Sequence, residues 1–326
     1  MTSVNSTQMT AGKSFEYALL VQFQEKLKDK TRIEIINNSS FKIAKDCFKQ
    51  ISSAQKSEYL LSASFAVNFL IDIEPRLSND IGKKDILQLE IVSDDKGKTG
   101  DVRDVLAIRL LQKWEIGVSA KNNHNAVKHS RLSSKIDFGE KWFGVKVSKE
   151  YFNTVEPIFN SLEKIRKDSN AKKEWSDLGN YRSKIYVPVL NAFIVELKKL
   201  YKKDPENVAS NLISYLVGNK DFYKVIKRKN SVEIYAYNLR GTLNLPFKNI
   251  LPKFTTPQVL LPTEILDVKL KVKSNTTAIV TMDNDWTLSF RIHNASSRVE
   301  ASLKFDINLL KYPSHLFKNT LKIKVD

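Results

Sequence analysis

The sequence contains a single cysteine and no long hydrophobic segment. Cys47 has no partner for an internal disulfide, and one thiol is too few for a cysteine-based zinc site. The first twelve residues are polar and lack the apolar stretch of a signal peptide, and the longest apolar segment, residues 59–71, is interrupted by serine and asparagine. We therefore expect a cytoplasmic protein with neither an export signal nor a membrane span.

Acidic residues are outnumbered by basic ones. The 326-residue chain has 53 Lys and Arg against 36 Asp and Glu, a formal net charge of +17, and the basic residues are dispersed along its length. Such an excess favours a polyanionic partner, because each phosphate that a basic residue neutralises releases condensed counterions. Since 42% of the residues are hydrophobic, the chain can also bury a substantial core. The composition therefore favours a folded protein that binds nucleic acid.

The first half of the chain changes from helical to strand-like patterns. Apolar residues recur every four positions across residues 12–28, which predicts an amphipathic helix. Two further helices are predicted before Pro75, at residues 41–51 and 57–70. Three strand-like runs follow, at residues 86–92, 102–111 and 114–121.

The second half of the chain has a different pattern. Helical periodicity returns between residues 152 and 217, and strand signals dominate from Ser231 onward. No internal repeat or low-complexity linker separates the halves. We therefore expect an α/β region at residues 1–150 and a helix-and-β region at residues 151–326. The boundary is soft, and one integrated domain is the alternative.

Polar side chains are predicted to cluster on the second and third of these strands. Strand alternation puts Asp104 at the start of the second strand, and it puts Glu115, Ser119 and Lys121 on one face of the third. Phosphodiester hydrolysis needs acidic side chains to hold a hard divalent cation, and a group that positions the attacking water. A carboxylate, a hydroxyl and an ammonium on paired strands therefore indicate a metal-dependent nuclease.

An acid that opens one strand and an acid-x-Lys sequence on the next form the motif of the PD-(D/E)XK nuclease superfamily. Asp104 and Ser119-Ala120-Lys121 resemble this motif, with Ser119 lying 15 residues after Asp104. The resemblance implies a central mixed β-sheet flanked by helices, with residues 1–150 as the nuclease catalytic core. Ser119 departs from the motif, which has Asp or Glu at this position.

The missing acid has two candidate replacements. Glu115 lies on the strand that carries the motif, and Glu16 lies on the first predicted helix, where the superfamily often has a metal-supporting glutamate. We prefer Glu115 slightly and keep both as metal ligands beside Asp104. Asp101 is a weaker alternative to Asp104. In a protein without catalytic activity, these acids would be turn and edge-strand residues, and Lys121 would be a strand-end lysine facing water.

A polar and basic segment follows Lys121 directly. Asparagine amides, histidine and basic side chains are the groups that contact phosphates and base edges. The two histidines of this segment are five residues apart, which does not fit a zinc pair. We therefore predict a DNA-binding segment, with a solvated helix start as the alternative. Its candidate contact residues are Asn122, Asn123, His124, Lys128, His129 and Arg131.

Two distant blocks of the sequence carry a more specific pattern. One covers residues 114–133 and the following Asp137-Phe138-Gly139, and the other covers residues 290–300 and 302–306. Together, and in this order, they resemble the HaeIII family of type II restriction endonucleases over nearly the whole chain. The resemblance implies magnesium-dependent cleavage of double-stranded DNA within GGCC, and a functional pairing with a cognate DNA methyltransferase.

The resemblance also implies roles for individual residues. Asp104 would hold Mg²⁺ with Glu115 or Glu16 completing its shell, and Lys121 would orient or polarise the attacking water. A palindromic target favours a two-fold homodimer, although monomers occur in this class. Residues 151–326 would recognise DNA, and the candidates to reach base edges are Arg291, His293, Asn294 and Arg298.

Two other functions are compatible with these residues. The first is a repair or structure-specific nuclease with the same core, and the second is a non-catalytic module that binds duplex DNA. Ser119 is the feature that keeps the second alternative open. The lysine-rich stretch at residues 224–229 is interpreted as a solvated helix face with some phosphate contact.

Overall fold

The computed structural model describes residues 3–93, 101–123, 128–168 and 174–323. Contacts between Cα atoms divide the chain into two compact units. Unit 1 comprises Met1–Asn125, Gly218–Val259 and His315–Asp326, and unit 2 comprises Ala126–Val217 and Leu260–Ser314. None of the helices in the described residues is both long and apolar enough to cross a membrane.

The helices are α1 (Ser3–Leu27), α2 (Ser39–Gln50), α3 (Ser53–Ile73), α4 (Phe138–Phe143), α5 (Lys149–Lys167), α6 (Val187–Lys203) and α7 (Pro205–Val217). The strands are β1 (Ile33–Ile35), β2 (Leu87–Ile91), β3 (Val105–Arg109), β4 (Trp114–Asn122), β5 (Lys128–Leu132), β6 (Phe222–Lys227), β7 (Ser231–Tyr237), β8 (Ile265–Leu270), β9 (Thr277–Met282), β10 (Thr287–His293), β11 (Leu303–Lys311) and β12 (Phe317–Lys322). Short 3₁₀ turns lie at Pro75–Leu77 and Trp175–Leu178, and a π-helical turn lies at Arg182–Tyr186.

Unit 1 contains a seven-stranded mixed sheet with the order β1-β2-β3-β4-β6-β7-β12. The pairs β1/β2 and β4/β6 are parallel, and the other neighbours are antiparallel. β3 and β4 form a hairpin whose register sets Val105 opposite Val118. This large mixed sheet with its helices confirms the predicted α/β class.

Helix α1 packs against β2, β3 and β4 through the apolar stripe that the sequence predicts. Phe15, Leu19, Phe23 and Leu27 recur every four residues, so they share one side of the helix, and each is at most 1% exposed. Alternate residues of β3 and β4 face them, because successive strand side chains point to opposite faces. The core of unit 1 therefore lies between α1, α3 and one face of the sheet.

Unit 2 contains a five-stranded antiparallel sheet with the order β5-β11-β10-β9-β8. Its core is rich in aromatic side chains contributed by both helices and strands. Phe193 on α6, for example, lies 4.8 Å from Phe305 on β11 between ring centroids. Trp142 on α4 stacks on Tyr215 at 5.1 Å, which ties the short helix α4 to α7.

Two features of this arrangement differ from the sequence-based expectations. The chain is not divided between the units at a single position near residue 150, because β6, β7 and β12 from its second half complete the sheet of unit 1. The interpretation of residues 224–229 as a solvated helix face is wrong. Residues 222–227 form strand β6 between two neighbours, and Lys224 and Lys227 are only 7% and 3% exposed.

Candidate active site

Asp104 and Lys121 meet at the open end of the β3–β4 hairpin. The Asp104 backbone N–H donates to the Val118 carbonyl at 2.8 Å, so the antiparallel ladder sets Asp104 beside Ser119. The Lys121 ammonium then donates to Asp104 Oδ2 at 3.2 Å. Lys121 reaches this oxygen because it lies two residues after Ser119 and so shares its strand face.

The Asp104 carboxylate is fixed by two further donors on the same oxygen. The Ala120 backbone N–H donates to Oδ2 at 2.7 Å, and the Ser119 hydroxyl donates to it at 3.3 Å. The other oxygen, Oδ1, accepts no hydrogen bond from the described residues. Three donors therefore hold one oxygen in place and leave the second available as a ligand.

Glu16 lies on α1 close to this carboxylate and is only 6% exposed. Burial and the negative charge of Asp104 raise the pKa of Glu16 to about 8, although Lys13 and Lys121 act in the opposite direction. The Lys13 ammonium donates to Glu16 Oε2 at 3.1 Å. Two carboxylates that repel each other are an arrangement that a bound cation would relieve.

The donor set fits a hard divalent cation. Mg²⁺ is usually held by one or two carboxylates, with waters and substrate phosphates completing the octahedron. Glu16 and Asp104 supply two carboxylates, and among the described residues no group of three or more potential metal ligands occurs. The site is therefore one in which substrate and water would provide the remaining ligands.

Glu115 lies in a different cluster from Asp104. Its carboxylate accepts from Arg103 Nη1 at 2.9 Å and lies 3.4 Å from the Lys220 ammonium. Burial acts to raise the pKa of Glu115, but the charges and hydrogen bonds of Arg103 and Lys220 together outweigh this effect, so the net shift is downward. Four residues separate Glu115 from Ser119, which is about 13 Å along a strand. The geometry therefore favours Glu16, and not the initially preferred Glu115, as the second acid.

Asp101 belongs to the cluster of Glu115. Its carboxylate accepts from Arg103 Nε and Nη2 at 2.8 and 2.7 Å. Both oxygens are thus directed at the guanidinium and not at Lys121. Asp104 is the better candidate ligand of the two.

Lys224 is a basic residue of the site that the sequence interpretation missed. It lies on β6 in register with Ser119 on β4, and side chains in register on parallel strands share a face. Burial and the nearby charges of Lys121 and Arg228 lower its pKa to about 8. The run Phe222-Tyr223-Lys224-Val225-Ile226, in which aromatic and β-branched residues flank the lysine, was the signal for a strand at this position.

The predicted DNA-binding residues fall in both units. In unit 1, the Asn122 amide donates to the Tyr59 hydroxyl at 2.9 Å, and Asn123 is exposed with a φ of 54°. His124 lies outside the described residues. Lys128 and His129 lie on β5 of unit 2.

Three of the predicted basic residues, Arg131, Arg291 and His293, share one face of the sheet in unit 2. The strand register sets Lys304 between Arg131 and His293, and sets Asp306 opposite Arg291. Arg131 is bonded to Glu300 and to the Ser302 hydroxyl, both at 2.9 Å, and Arg291 is bonded to Asp306 at 3.0 Å. Lys304 was not predicted, although its alternation with buried Leu303 and Phe305 marks it as facing this side.

Asn294 and Arg298 follow β10 and have different surroundings. Asn294 accepts from the Tyr186 hydroxyl at 2.9 Å, so its side chain has a structural partner within unit 2. Arg298 is exposed, and its backbone forms an isolated bridge with Glu174. Of the two, Arg298 is more accessible to a ligand.

Comparison with known proteins gives a match over nearly the whole chain. The model of the HaeIII restriction endonuclease family matches residues 12–313. The type II restriction enzyme HaeIII of Haemophilus aegyptius is 41% identical over 305 residues, which is 93% of this chain and 94% of that enzyme. No solved structure matches the chain significantly.

Proposed function

This chain belongs to the HaeIII restriction endonuclease family and is a type II site-specific endonuclease, and we propose that it cleaves double-stranded DNA within GGCC with Mg²⁺ held by Glu16 and Asp104. The observation that carries the proposal is the convergence of Glu16 on α1, Asp104 just before β3, and Lys121 on β4. The GGCC target is supported by the similarity to the enzyme from Haemophilus aegyptius.

The arrangement also supports assignment of the larger sheet to the PD-(D/E)XK fold. A helix carries one acid, the first hairpin strand is preceded by a second acid, and the next strand carries the lysine. Ser119 stands at the usual position of an acid, and Glu16 would supply the second carboxylate in its place. With Glu16 from α1 in place of the acid that the motif has at position 119, the site would still have two carboxylates as metal ligands.

Each side chain of the site has a defined task in this proposal. When bound, the metal supplies positive charge that stabilises the charge developing on phosphate oxygens. Asp104 would hold the metal, and its Oδ1 is the oxygen available for this task because Oδ2 already accepts from three donors. Lys121 holds the attacking water and offsets the charge of the scissile phosphate. Lys224 adds a second positive charge on the same face of the sheet.

DNA recognition would involve the polar residues of both units. Arg131, Arg291 and His293 are the strongest candidates because one sheet face carries all three. Arginine pairs with guanine through two hydrogen bonds, which suits a target of G·C pairs. The remaining candidates for contacts to phosphates or bases are Asn122, Asn123, His124, Lys128, His129, Asn294 and Arg298.

A plasmid digest tests this function. Plasmid DNA with known GGCC sites is incubated with the protein and MgCl₂, or with EDTA, and the fragment ends are sequenced. We expect discrete fragments whose ends all lie within GGCC, and no cleavage in EDTA. Ends at unrelated sequences, or cleavage confined to branched or damaged DNA, would contradict the proposal. Asp104→Asn is the control for contaminating nucleases.

The wider setting follows from the same proposal. A two-fold target is best matched by a homodimer on DNA, and sedimentation with and without a GGCC duplex tests this. A cognate methyltransferase must protect the cell's own sites, so plasmid methylated within GGCC should resist cleavage. Because host DNA and this paired enzyme are found there, the proposed compartment is the cytoplasm.

A further inference from the structure

Arg103 immediately precedes Asp104 and is almost completely buried, with 5% exposure. Its guanidinium donates from Nε and Nη2 to the two oxygens of Asp101 at 2.8 and 2.7 Å. It also donates from Nη1 to Glu115 at 2.9 Å. Charge-assisted hydrogen bonds of this kind are roughly twice as strong as neutral ones. Arg103 therefore joins the segment before β3 to the start of β4.

The stem of Arg103 lies directly on the backbone of Gly117. A Cβ atom at Gly117 would lie 2.0 Å from Cδ, 2.6 Å from Cγ and 2.8 Å from Cβ of Arg103. The Cβ atom of Arg103 cannot rotate away from Gly117, because it is bonded to the backbone of the segment before β3. Glycine at this position therefore lets the arginine stem cross β4 at close range.

This contact lies next to the bonds that orient Asp104. β3 begins at Val105, so Asp104 stands just before the strand, where its N–H donates to the Val118 carbonyl and its carbonyl accepts from the Val92 N–H. The carboxylate reaches Ala120 and Lys121 only if the segment at residues 101–104 lies close to β4. Arg103 is the side chain that holds this segment there.

We propose that Arg103, bonded to Asp101 and Glu115 and packed on Gly117, is a positioning residue that sets the Asp104 carboxylate for metal binding. The proposal rests on the proposed function of Asp104 as a metal ligand. It gives Glu115 an indirect task, because Glu115 orients Arg103 and does not contact the metal. Residues that orient a metal ligand typically contribute about 10-fold to 100-fold to metal affinity or activity.

A buried arginine is also expected to stabilise the fold, so the test needs a matched residue with a structural task only. Arg109 at the other end of β3 is such a residue. Its side chain is 0% exposed, and its guanidinium donates to backbone carbonyls of Arg76, Leu77 and Asp85 and to the Thr31 hydroxyl. Arg103→Lys and Arg109→Lys therefore both remove a buried planar fork, one just before β3 and one at its end.

The experiment compares Mn²⁺ affinity, stability and cleavage in these two variants. Mn²⁺ binding to the DNA-free protein is measured by calorimetry, the unfolding midpoint by circular dichroism, and the rate by single-turnover cleavage of a GGCC duplex. We expect Arg103→Lys to weaken Mn²⁺ binding by about 10-fold or more and to slow cleavage by a similar factor. Duplex affinity in Ca²⁺ should stay within about threefold. Arg109→Lys should lower the unfolding midpoint but leave Mn²⁺ affinity unchanged.

A milder pair of variants covers the case in which Arg103→Lys does not fold. Glu115→Ala removes one bond to Arg103, and its side chain is 35% exposed. Lys220→Ala removes the other ionic contact of Glu115 and leaves the bond to Arg103 in place. We expect Glu115→Ala to weaken Mn²⁺ binding by about threefold and Lys220→Ala to leave it unchanged, since only the first loosens Arg103.

Equal Mn²⁺ affinities for the wild type and Glu115→Ala, or for Arg103→Lys and Arg109→Lys, would overturn the proposal. The proposed function fails in a different way. If Asp104→Ala retains Mn²⁺ binding and cleavage, Asp104 is not a ligand at all. Loss of both activities in Asp104→Ala, together with an unchanged Arg103→Lys, leaves the proposed function intact and contradicts only the positioning task of Arg103.

Discussion

The two ends of the β3–β4 hairpin both hold charged side chains, but they surround them with different partners. At the turn end, the buried Arg109 guanidinium is bonded to three backbone carbonyls and one hydroxyl. At the open end, burial and, in addition, the nearby charge of Asp104 raise the pKa of Glu16. The turn end thus satisfies a charge with dipoles and with the opposite charge of Asp85, whose Oδ2 lies 3.6 Å from Arg109 Nη1, whereas the open end brings two carboxyl groups together.

A structural charge and a functional one can be distinguished by the groups that surround them. Burial of Arg109 costs desolvation energy, which its hydrogen bonds and the buried carboxylate of Asp85 offset without any residue of the candidate active site. At Glu16, burial and the charge of Asp104 raise the pKa to about 8, and the lowering effects of Lys13 and Lys121 do not cancel this shift. A carboxyl group whose pKa is raised by burial and by a neighbouring carboxylate is typical of functional sites.

The largest effect is expected at the open end. Asp104→Ala and Lys121→Ala should each reduce the single-turnover cleavage rate by about 1000-fold or more, because each removes a group that acts on the reacting atoms. Duplex affinity in Ca²⁺ should persist, and gel-shift titration measures it. Undiminished cleavage by either variant would remove that residue from the mechanism.

The next effect concerns stability at the turn end. Arg109→Ala leaves several buried carbonyl groups without a donor, so we expect the free energy of unfolding to fall by about 3–5 kcal/mol. Urea unfolding measures this change. The cleavage rate per folded molecule should stay within about twofold, since no bond of Arg109 reaches Asp104. A slower rate in the folded protein would erase the distinction between the two ends.

Glu16 and Glu115 offer a smaller but sharper test. Glu16→Gln removes a proposed metal ligand and should raise the Mg²⁺ concentration for half-maximal cleavage by about 10-fold to 100-fold. Glu115→Gln keeps an acceptor for Arg103 and should change that concentration by less than about threefold. The reverse order of effects would restore Glu115 as the metal ligand.

Glu74 provides a pH test of a buried carboxyl group with a structural task. Burial raises its pKa to about 7, against the effect of hydrogen bonds from Tyr223 at 2.6 Å and the Asn244 backbone at 2.7 Å. Since the folded pKa lies above the unfolded one, the neutral acid stabilises the fold below about pH 4.5, and this contribution is lost as the pH rises toward 7.

Glu74→Gln keeps the acceptor oxygen and removes the titration. The unfolding free energy of the variant relative to the wild type should therefore increase by about 3 kcal/mol at most between pH 5 and pH 8. Urea unfolding at several pH values gives both curves. Parallel curves would show that Glu74 does not titrate in this range.

Much of the fold of unit 1 could be predicted from the sequence. The four-residue spacing of Phe15, Leu19, Phe23 and Leu27 predicts α1, and the apolar alternation predicts β2, β3 and β4. The participation of β6 in the same sheet could not be predicted. Its parallel pairing with β4 spans about a hundred residues, and local periodicity carries no information on such long-range pairing.

The acid and the lysine at the open end were predicted from strand alternation, and the structure brings Asp104 and Lys121 together. The choice between Glu16 and Glu115 required three-dimensional information. Glu16 lies on α1, which packs against the hairpin, and Glu115 lies on β4 itself. Alternation alone puts Glu115 on the face of Lys121. The structure shows that the Arg103 guanidinium bonds Glu115 near the start of β4, whereas Lys121 lies near its end.

The most direct test of the account is the position of the metal. Crystals of the Lys121→Ala variant with a GGCC duplex and Mn²⁺ would show the metal by its anomalous scattering. We predict one peak within about 2.5 Å of carboxylate oxygens of both Glu16 and Asp104, as expected for a hard cation. A peak bound to Glu115, or a metal that contacts neither Glu16 nor Asp104, would contradict it.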